Sequence, residues 1–436
     1  MLSSTVLPLI EHLKELASRL PKNNAPAWLA DLREKSLARV KDVGFPKSKD
    51  EEWKYTNISS IVNRRYELAN GHAGPIIDQK ALKNFLLDDA INVVVVNGVV
   101  SQELSQLKNL PQGVSLSTFQ DALKGSDLKE YFSKYKSDEE NVFIALNHAL
   151  TRDGIFLKVA PKTVSQKIIH MIHLVSSKEE IINLPRTIIA LGESSEAAMA
   201  ESYVSLSDEV IYLTNALTDI FLAKNATLSY CNTQKESLQS FHIGNTRVWQ
   251  ERDSNYQGFS FVAGGAVTRN NLDVVLNGEG AQSFLNALYS VYGTQHVDNH
   301  TAVDHRVPNC TSNQLYKGIL NGASRAVFNG KIFVRSIAQK TNSYQLNKNL
   351  LLGKDCRVDT KPQLEIFADD VKCTHGATIG QLNQDEVFYL QTRAIGKQEA
   401  VRMLARGFAE DVLNQIPNQA VHQKLTELLQ PSFAQL

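Results

Sequence analysis

The sequence predicts a mainly β chain with helical segments at both ends. Between about residues 155 and 390, short β-branched or aromatic runs recur every ~10–14 residues, separated by Gly, Asn, Asp and Ser. No long helical pattern lies among them, which excludes a doubly wound α/β sheet. Helical periodicity precedes this region and returns after Gly396. A β-sandwich and a β-solenoid both fit such a run. Its length and its Asn/Gly corners (Asn271, Asn277-Gly278, Asn321-Gly322 and Asn329-Gly330) favour the solenoid, since stacked coils place like residues at like corners.

In chain order, residues 4–20 place Leu7, Ile10, Leu13 and Leu20 at helical spacing, and Pro21 ends the run. A second helix is predicted from Pro26 to Val43, with Trp28, Leu29, Leu32, Leu37 and Val40 on one face. Gly44 is its C′ residue and Phe45-Pro46 prevents continuation, so a helical hairpin occupies the first ~45 residues. The following Lys47-Ser48-Lys49-Asp50-Glu51-Glu52-Trp53-Lys54-Tyr55 reads by charge as a solvated turn anchored by two aromatics. Asn97-Gly98, between the β-branched runs of residues 91–100, signals a two-residue hairpin. Helical patches are expected at 127–135 and 138–150.

The expected strand runs are Ile155–Val159, Ile168–Val175, Thr187–Leu191, Val210–Leu213, Ile220–Ala223, Phe259–Val262, Leu272–Leu276, Ala326–Val334, Leu364–Phe367 and Val387–Leu390. After Gly396, Val401, Leu404, Phe408 and Val412 form one helical stripe with Met403 on its flank. Pro417 breaks the pattern, and Val421, Leu425, Leu428 and Leu429 begin a second amphipathic helix. So short a helical pair cannot build its own core and must pack on the β region, on a partner, or on both. The resulting division is 1–90 helical, 91–154 mixed, 155–392 β core and 393–436 helical.

Composition narrows the function classes. With 46 basic and 46 acidic residues the net charge is zero, so no electrostatic footprint for nucleic acid or an anionic membrane is expected. No apolar run approaches the ~20 residues a membrane span needs. Cys231, Cys310, Cys356 and Cys373 are far apart and form no C-x-x-C pair, which argues against a disulfide framework. With no signal peptide pattern at Met1-Leu2-Ser3-Ser4-Thr5, a reducing, cytoplasmic setting is expected.

The chemistry-bearing stretches are few. No G-x-x-x-x-G-K-[ST] occurs, and Gly278-Glu279-Gly280 lacks the third glycine of a dinucleotide fingerprint. His296, Asp298, His300, Asp304 and His305 could supply a His/carboxylate metal site, or could line turns and bond backbone groups in a stacked core. In Val371-Lys372-Cys373-Thr374-His375-Gly376-Ala377-Thr378-Ile379-Gly380, an extended strand puts Cys373 and His375 on one face. A thiol and an imidazole side by side are half of a tetrahedral metal site. The flanking Asp369-Asp370 and Asp385-Glu386 read as solvated pairs near turns.

Residues 326–332, 347–353 and 359–380 resemble the SufB/SufD family of iron–sulfur cluster assembly proteins, in a nearly continuous match from about 320 to 410. Asp50-Glu51-Glu52-Trp53-Lys54-Tyr55-Thr56 is similar to that family's N-terminal signature, which revises the solvated-turn reading. The SufD branch is the nearer one, because no cysteine precedes Cys231 and Gly376 follows His375 where SufB-like chains tend to carry Glu. The resemblance implies a right-handed parallel β-helix core and a non-catalytic scaffold subunit in a complex with a SufB-like paralogue and a SufC-like ABC ATPase. The C-terminal helices, through Val401, Met403, Leu404, Phe408 and Val412, would dock the ATPase. Cys373 and His375 would be interface ligands completed by the partner, meeting iron or a nascent cluster. The resemblance also implies that reduced flavin associates with the full complex; no flavin motif is visible. A homodimeric iron carrier, with the isolated chain paired through Cys373 and His375, and a β-helix enzyme acting on polysaccharide are the competing readings.

Overall fold

An aliphatic ladder forms the spine of the molecule. Leu157, Ile189, Ile220, Val248, Val274, Val303 and Ile332 pair in register on successive strands, all buried. The computed structural model describes residues 8–20, 26–69, 71, 77, 79–125, 127–134 and 141–434. Each coil gives one strand to each of two parallel sheets. The front sheet runs from Ile155–Val159 through Arg186–Leu191, Tyr212–Leu222, Phe241–Gln250, Val267–Leu276, His296–His305 and Arg325–Val334 to Arg357–Ile366. The back sheet runs from Ala90–Val96 through Ile168–Val175, Glu196–Ser205, Thr227–Lys235, Asn255–Val262, Gln282–Val291, Thr311–Leu320 and Thr341–Leu351 to Val371–Gly380. Val267 pairs with His296, and His296 with Arg325, a step of 29 residues per coil. Parallel in-register pairing of this kind needs a long return between strands. The fold is the parallel β-solenoid and not the sandwich.

Ile155–Val159 and Ile168–Val175 are strands at the expected bounds, while other strands run past the apolar runs that announce them. Val210–Leu213 and Ile220–Ala223 belong to one strand, Tyr212–Leu222, whose middle holds the buried Thr214, Asn215, Thr218 and Asp219. Those polar side chains find hydrogen-bond partners inside the solenoid, so the backbone stays extended where hydrophobicity lapses. Asn277-Gly278 and Asn321-Gly322 do lie at corners, but Asn271 is inside Val267–Leu276 and Asn329-Gly330 inside Arg325–Val334. Gly330 is there for space: a Cβ would come within 2.2 Å of the Gln345 amide. Val387–Leu390 is not a strand but part of the helix Gln384–Thr392, started by the Asn383 side chain accepting from the Asp385 N–H at 2.9 Å.

The helices at the two ends of the chain pack on the faces of the sheets. Pro8–Ser18 and Ala27–Val43 pair as the periodicity predicts, and Gly44, at φ 70°, donates its N–H to the Val40 carbonyl. Residues 4–7 and Pro21 of the first expected helix lie outside the described residues. The patches expected at 127–135 and 138–150 form the helices Asp127–Ser133 and Val142–Leu150, with Asn141 capping the second; residues 135 and 138–140 are outside the described set. Val142–Leu150 is buried along its whole length against the front sheet. Asn97 and Gly98 both take positive φ and turn Ala90–Val96 antiparallel to Val99–Val100. Ala90–Val96 also pairs with Ile168–Val175, so the back sheet begins well before residue 155. Among the described residues no helix is long and apolar enough to cross a membrane.

Candidate interface and metal-ligand site

The last coil is open. Among the described residues Val371–Gly380 pairs only with Thr341–Leu351, and Arg357–Ile366 only with Arg325–Val334. Each leaves one edge of backbone N–H and C=O groups without a strand partner, the arrangement that invites another chain. Cys373 sits in register with Ser343 and His375 with Gln345, and Ser343 and Gln345 are buried. The strand period therefore does place Cys373 and His375 on the same, inward-facing side. With no further coil above them among the described residues, Cys373 is only half-buried, packed at the edge of the cluster of Ile332, Val334, Ala338 and Ala368, while His375 is exposed.

Burial raises the Cys373 thiol above its ordinary pKa, only partly opposed by a backbone hydrogen bond from Ser343, so the free side chain is a neutral thiol at pH 7. A soft metal would have to displace that proton. Among the described residues, no group of three or more His, Cys, Asp or Glu is placed to hold a metal ion. Below the open coil, both amide atoms of the fully buried Gln345 lack a hydrogen-bond partner among the described residues. Asp369 and Asp370 are exposed at the preceding corner, and Asp385 and Glu386 occupy a first helical turn, where they face its positive end.

The apolar surface of this end had no sequence signal. Ile337 (64%) and Phe367 (62%) stand exposed at corners of the last two coils, and Phe388 (66%) and Tyr389 (58%) on the helix that follows. Large exposed side chains gathered at one end, beside two open strand edges, describe an interaction surface.

The 296–305 histidines are not in turns. They belong to one strand, and each is engaged elsewhere. His296 Nε2 is 2.8 Å from Thr56 Oγ1, His300 Nε2 is 3.0 Å from Asp298 and His305 Nε2 is 2.9 Å from Ser312. Their partners include the segment from Asp50 to Thr56, which is no solvated turn. It lies as a strap on the outer face of the front sheet. Trp53 is buried with the Arg269 guanidinium 3.8 Å over its ring. Glu52 contacts His300 and Lys331, Glu51 bonds Lys361, and Thr56 donates to Asp298 at 2.6 Å.

The C-terminal helices Lys397–Leu413 and Gln419–Ala434 pack on the back sheet around Phe259, Leu288, Ile319 and Leu350. The seam is made by Ala405, Ala409, Val412 and Leu413, all at 0% exposure. Alanines let the helix approach closely, which turns the Val401–Leu404–Phe408 stripe partly aside. Val412 is consumed by this packing and leaves the expected docking set. Phe408 is half-buried beneath the Lys317 ammonium, which lies 3.9 Å from its ring and 2.8 Å from Asp411. Met403 is 44% exposed, with Val401 and Leu404 half-buried beside it.

Comparison with known proteins agrees with this architecture. Residues 173–408 match the family described as "SUF system FeS cluster assembly, SufBD core domain", and residues 9–171 the "SufBD protein N-terminal region". The chain is 32% identical over 430 residues to an iron–sulfur cluster assembly SufBD family protein of Synechocystis sp., covering 96% of this chain and 94% of the relative. It is 32% identical over 397 residues to the iron–sulfur cluster assembly protein SufD of Escherichia coli, covering 89% of each. The SufD protein of Bacillus subtilis is 24% identical over 96% of this chain and 97% of its own length. The chain belongs to the SufBD family of iron–sulfur cluster assembly proteins, and is SufD-like within it.

Proposed function

We propose that this protein is a non-catalytic scaffold subunit of a cytoplasmic iron–sulfur cluster assembly complex. In it, the open last coil pairs with a SufB-like paralogue and the C-terminal helices dock a SufC-like ATPase. The observation that carries the reading is the unpaired end of the solenoid: two strand edges, an exposed His375 beside Cys373, and a rim of exposed apolar side chains. A homologous solenoid would satisfy those edges by strand addition and supply the ligands that two side chains cannot. ATP hydrolysis falls to the partner, since this sequence carries no P-loop.

Co-expression with SufB-like and SufC-like chains, read by native mass measurement, is expected to give a ternary complex. Deleting residues 396–436 would also bare Phe259, Leu288, Ile319 and Leu350, so Met403→Asp is the cleaner variant for ATPase docking. Its side chain is exposed, so stability should change by less than ~0.5 kcal/mol while ATPase co-purification is lost. Retention of the ATPase would sink the docking assignment.

His375→Ala is likewise expected to leave the fold intact. It should lower the iron retained by the assembled complex, with a smaller effect from Cys373→Ala. If the isolated chain dimerises and binds iron through His375 without partners, the homodimeric carrier replaces the scaffold.

A further inference from the structure

A cleft of about 720 Å³ lies between the Asp50–Thr56 strap and the outer face of the front sheet, with Asn141 and Ile144 on its far rim. Pockets of this size commonly hold small molecules at the junction of two layers. The parallel register explains the hollow. One row across four strands reads Arg247, Asp273, Ala302, Lys331, and the next reads Trp249, Val275, Asp304, Phe333. The short Val275 and Ala302 form an apolar floor between longer neighbours. At 4.7–4.9 Å per strand each row spans about 14 Å.

The walls are cationic and pre-set. Lys134, Arg247, Arg269, Arg306 and Lys331 line the cleft, with His300, against two carboxylates, Glu52 and Asp273. Three of these cations are held from behind: Arg247 by Asp219 at 2.6 Å, Arg269 by Asp298 at 2.9 Å and Arg306 by Asp304 at 2.8 Å. Asp219 and Asp298 are buried and orient their guanidiniums from beneath, while Asp304, 13% exposed, lies in the second row between Val275 and Phe333 and is shared between Arg306 and Arg335. Arg306 also stands 5.1 Å over the Trp249 ring, and Lys331 5.4 Å over Phe333. The Lys331 ammonium is 3.5 Å from Glu52, a loose pair. Asp273 opens onto the cleft floor, its pKa raised by desolvation, and stands as an acidic group among the cations.

We propose that this cleft binds a phosphorylated small molecule of nucleotide size, its phosphate held between Arg306 and Lys331 and its ring laid on the Val275–Ala302 floor between Trp249 and Phe333. Fixed guanidinium and ammonium donors suit phosphate oxygens, and the aromatic walls suit a planar, partly apolar body. The site belongs to this chain alone and does not depend on the scaffold reading.

The test uses the isolated full chain with ADP as probe and pyrophosphate as the ring-free control, followed by calorimetry and by Trp249 fluorescence. Saturable ADP binding is expected, weakening as ionic strength rises and falling about ten-fold or more in Lys331→Met and in Arg306→Gln. Phe333→Ala should weaken ADP and leave pyrophosphate unchanged. Thermal melting of each variant separates loss of binding from loss of fold. No saturable ADP binding, or binding that neither cation substitution weakens, overturns the site. Pyrophosphate binding as tightly as ADP overturns the assignment of the ring to the floor.

Discussion

Arg269→Ala is expected to destabilise the protein by about 3–5 kcal/mol, the range for removing one partner of a buried ion pair. The guanidinium is 3% exposed and joins three parts of the molecule. It donates to the Glu52 carbonyl at 2.6 Å, to Asp298 at 2.9 Å and to Asn271 at 3.0 Å, while its face covers Trp53. Alanine would free the strap and leave the Asp298 carboxylate buried without its cation. Against a typical total of about 5–15 kcal/mol, such a loss is severe. Arg269→Lys keeps the charge but not the planar fork, and should fall between. Guanidinium unfolding checks the ranking; an alanine variant within about 1 kcal/mol of the parent would show that the strap contributes little.

The same joint should show a pH optimum. His300 holds Glu52 down to about 2 by hydrogen bonding, and Asp298 is also lowered: burial pushes it up, but Arg269 and His300 more than offset that. Burial pushes His300 down, yet the Asp298 and Glu52 carboxylates outweigh both that and Arg269, leaving it raised. A lowered carboxylate contributes stability above its unfolded value, near 4.5 for Glu52, and loses it as pH falls through the folded one. A raised imidazole contributes below 6.5 and loses its share as pH climbs through its folded value. The strap should grip best between those limits. Limited proteolysis at 47–56 across pH 3–9 reads this directly.

The strap also marks where sequence reasoning stopped. Charge patterning in Lys47–Tyr55 describes a solvated turn, because pairing with Arg269, His300, Lys331 and Lys361 spans some two to three hundred positions of chain. The solenoid was legible in its aliphatic rows and true corners, since Val274 or Val303 obeys the strand period locally. Its polar centre was not: Thr214 and Asp219 look like a strand end until Glu236, Arg186 and Arg247 are brought beside them. Asn329-Gly330 imitated a corner because a glycine needed for Gln345 reads the same as one needed for a turn. In the candidate site, the shared face of Cys373 and His375 followed from spacing alone. The openness of their coil depends on where the stack ends. The alanine seam of Lys397–Leu413 stayed hidden because a hydrophobic stripe is judged by its large residues, and here the small ones make the close contact.

The polar centre yields the other large effect. Glu201 is fully buried, and its carboxylate accepts from His173 at 2.8 Å, Thr187 at 2.7 Å, Thr218 at 2.8 Å and the Tyr230 hydroxyl. Tyr203 stacks on His173 and meets His242 edge-on, each at 4.9 Å, and His242 is paired in turn with the buried Glu236 at 2.7 Å. The two sheets are thus cross-linked at the middle of the solenoid by Glu201 of the back sheet, which accepts from Thr187 and Thr218 of the front sheet. Glu201→Leu leaves four buried donors without an acceptor, at about 1–3 kcal/mol for each unsatisfied group, less the carboxylate's own desolvation cost. A net loss of about 3–5 kcal/mol is expected, with Glu201→Gln milder because it keeps one acceptor oxygen. Burial pushes the Glu201 pKa up, but His173, Tyr230 and Thr187 hold it at about 2. Its contribution is therefore complete above about 4.5 and fades as pH falls toward 2, and the leucine variant should lose that acid dependence. Urea unfolding of the three proteins at pH 7 and pH 3.5 measures both effects. Equal stability of the leucine variant and the parent at pH 7 would mean that the centre tolerates an apolar filling, and that its polar network fixes register rather than stability.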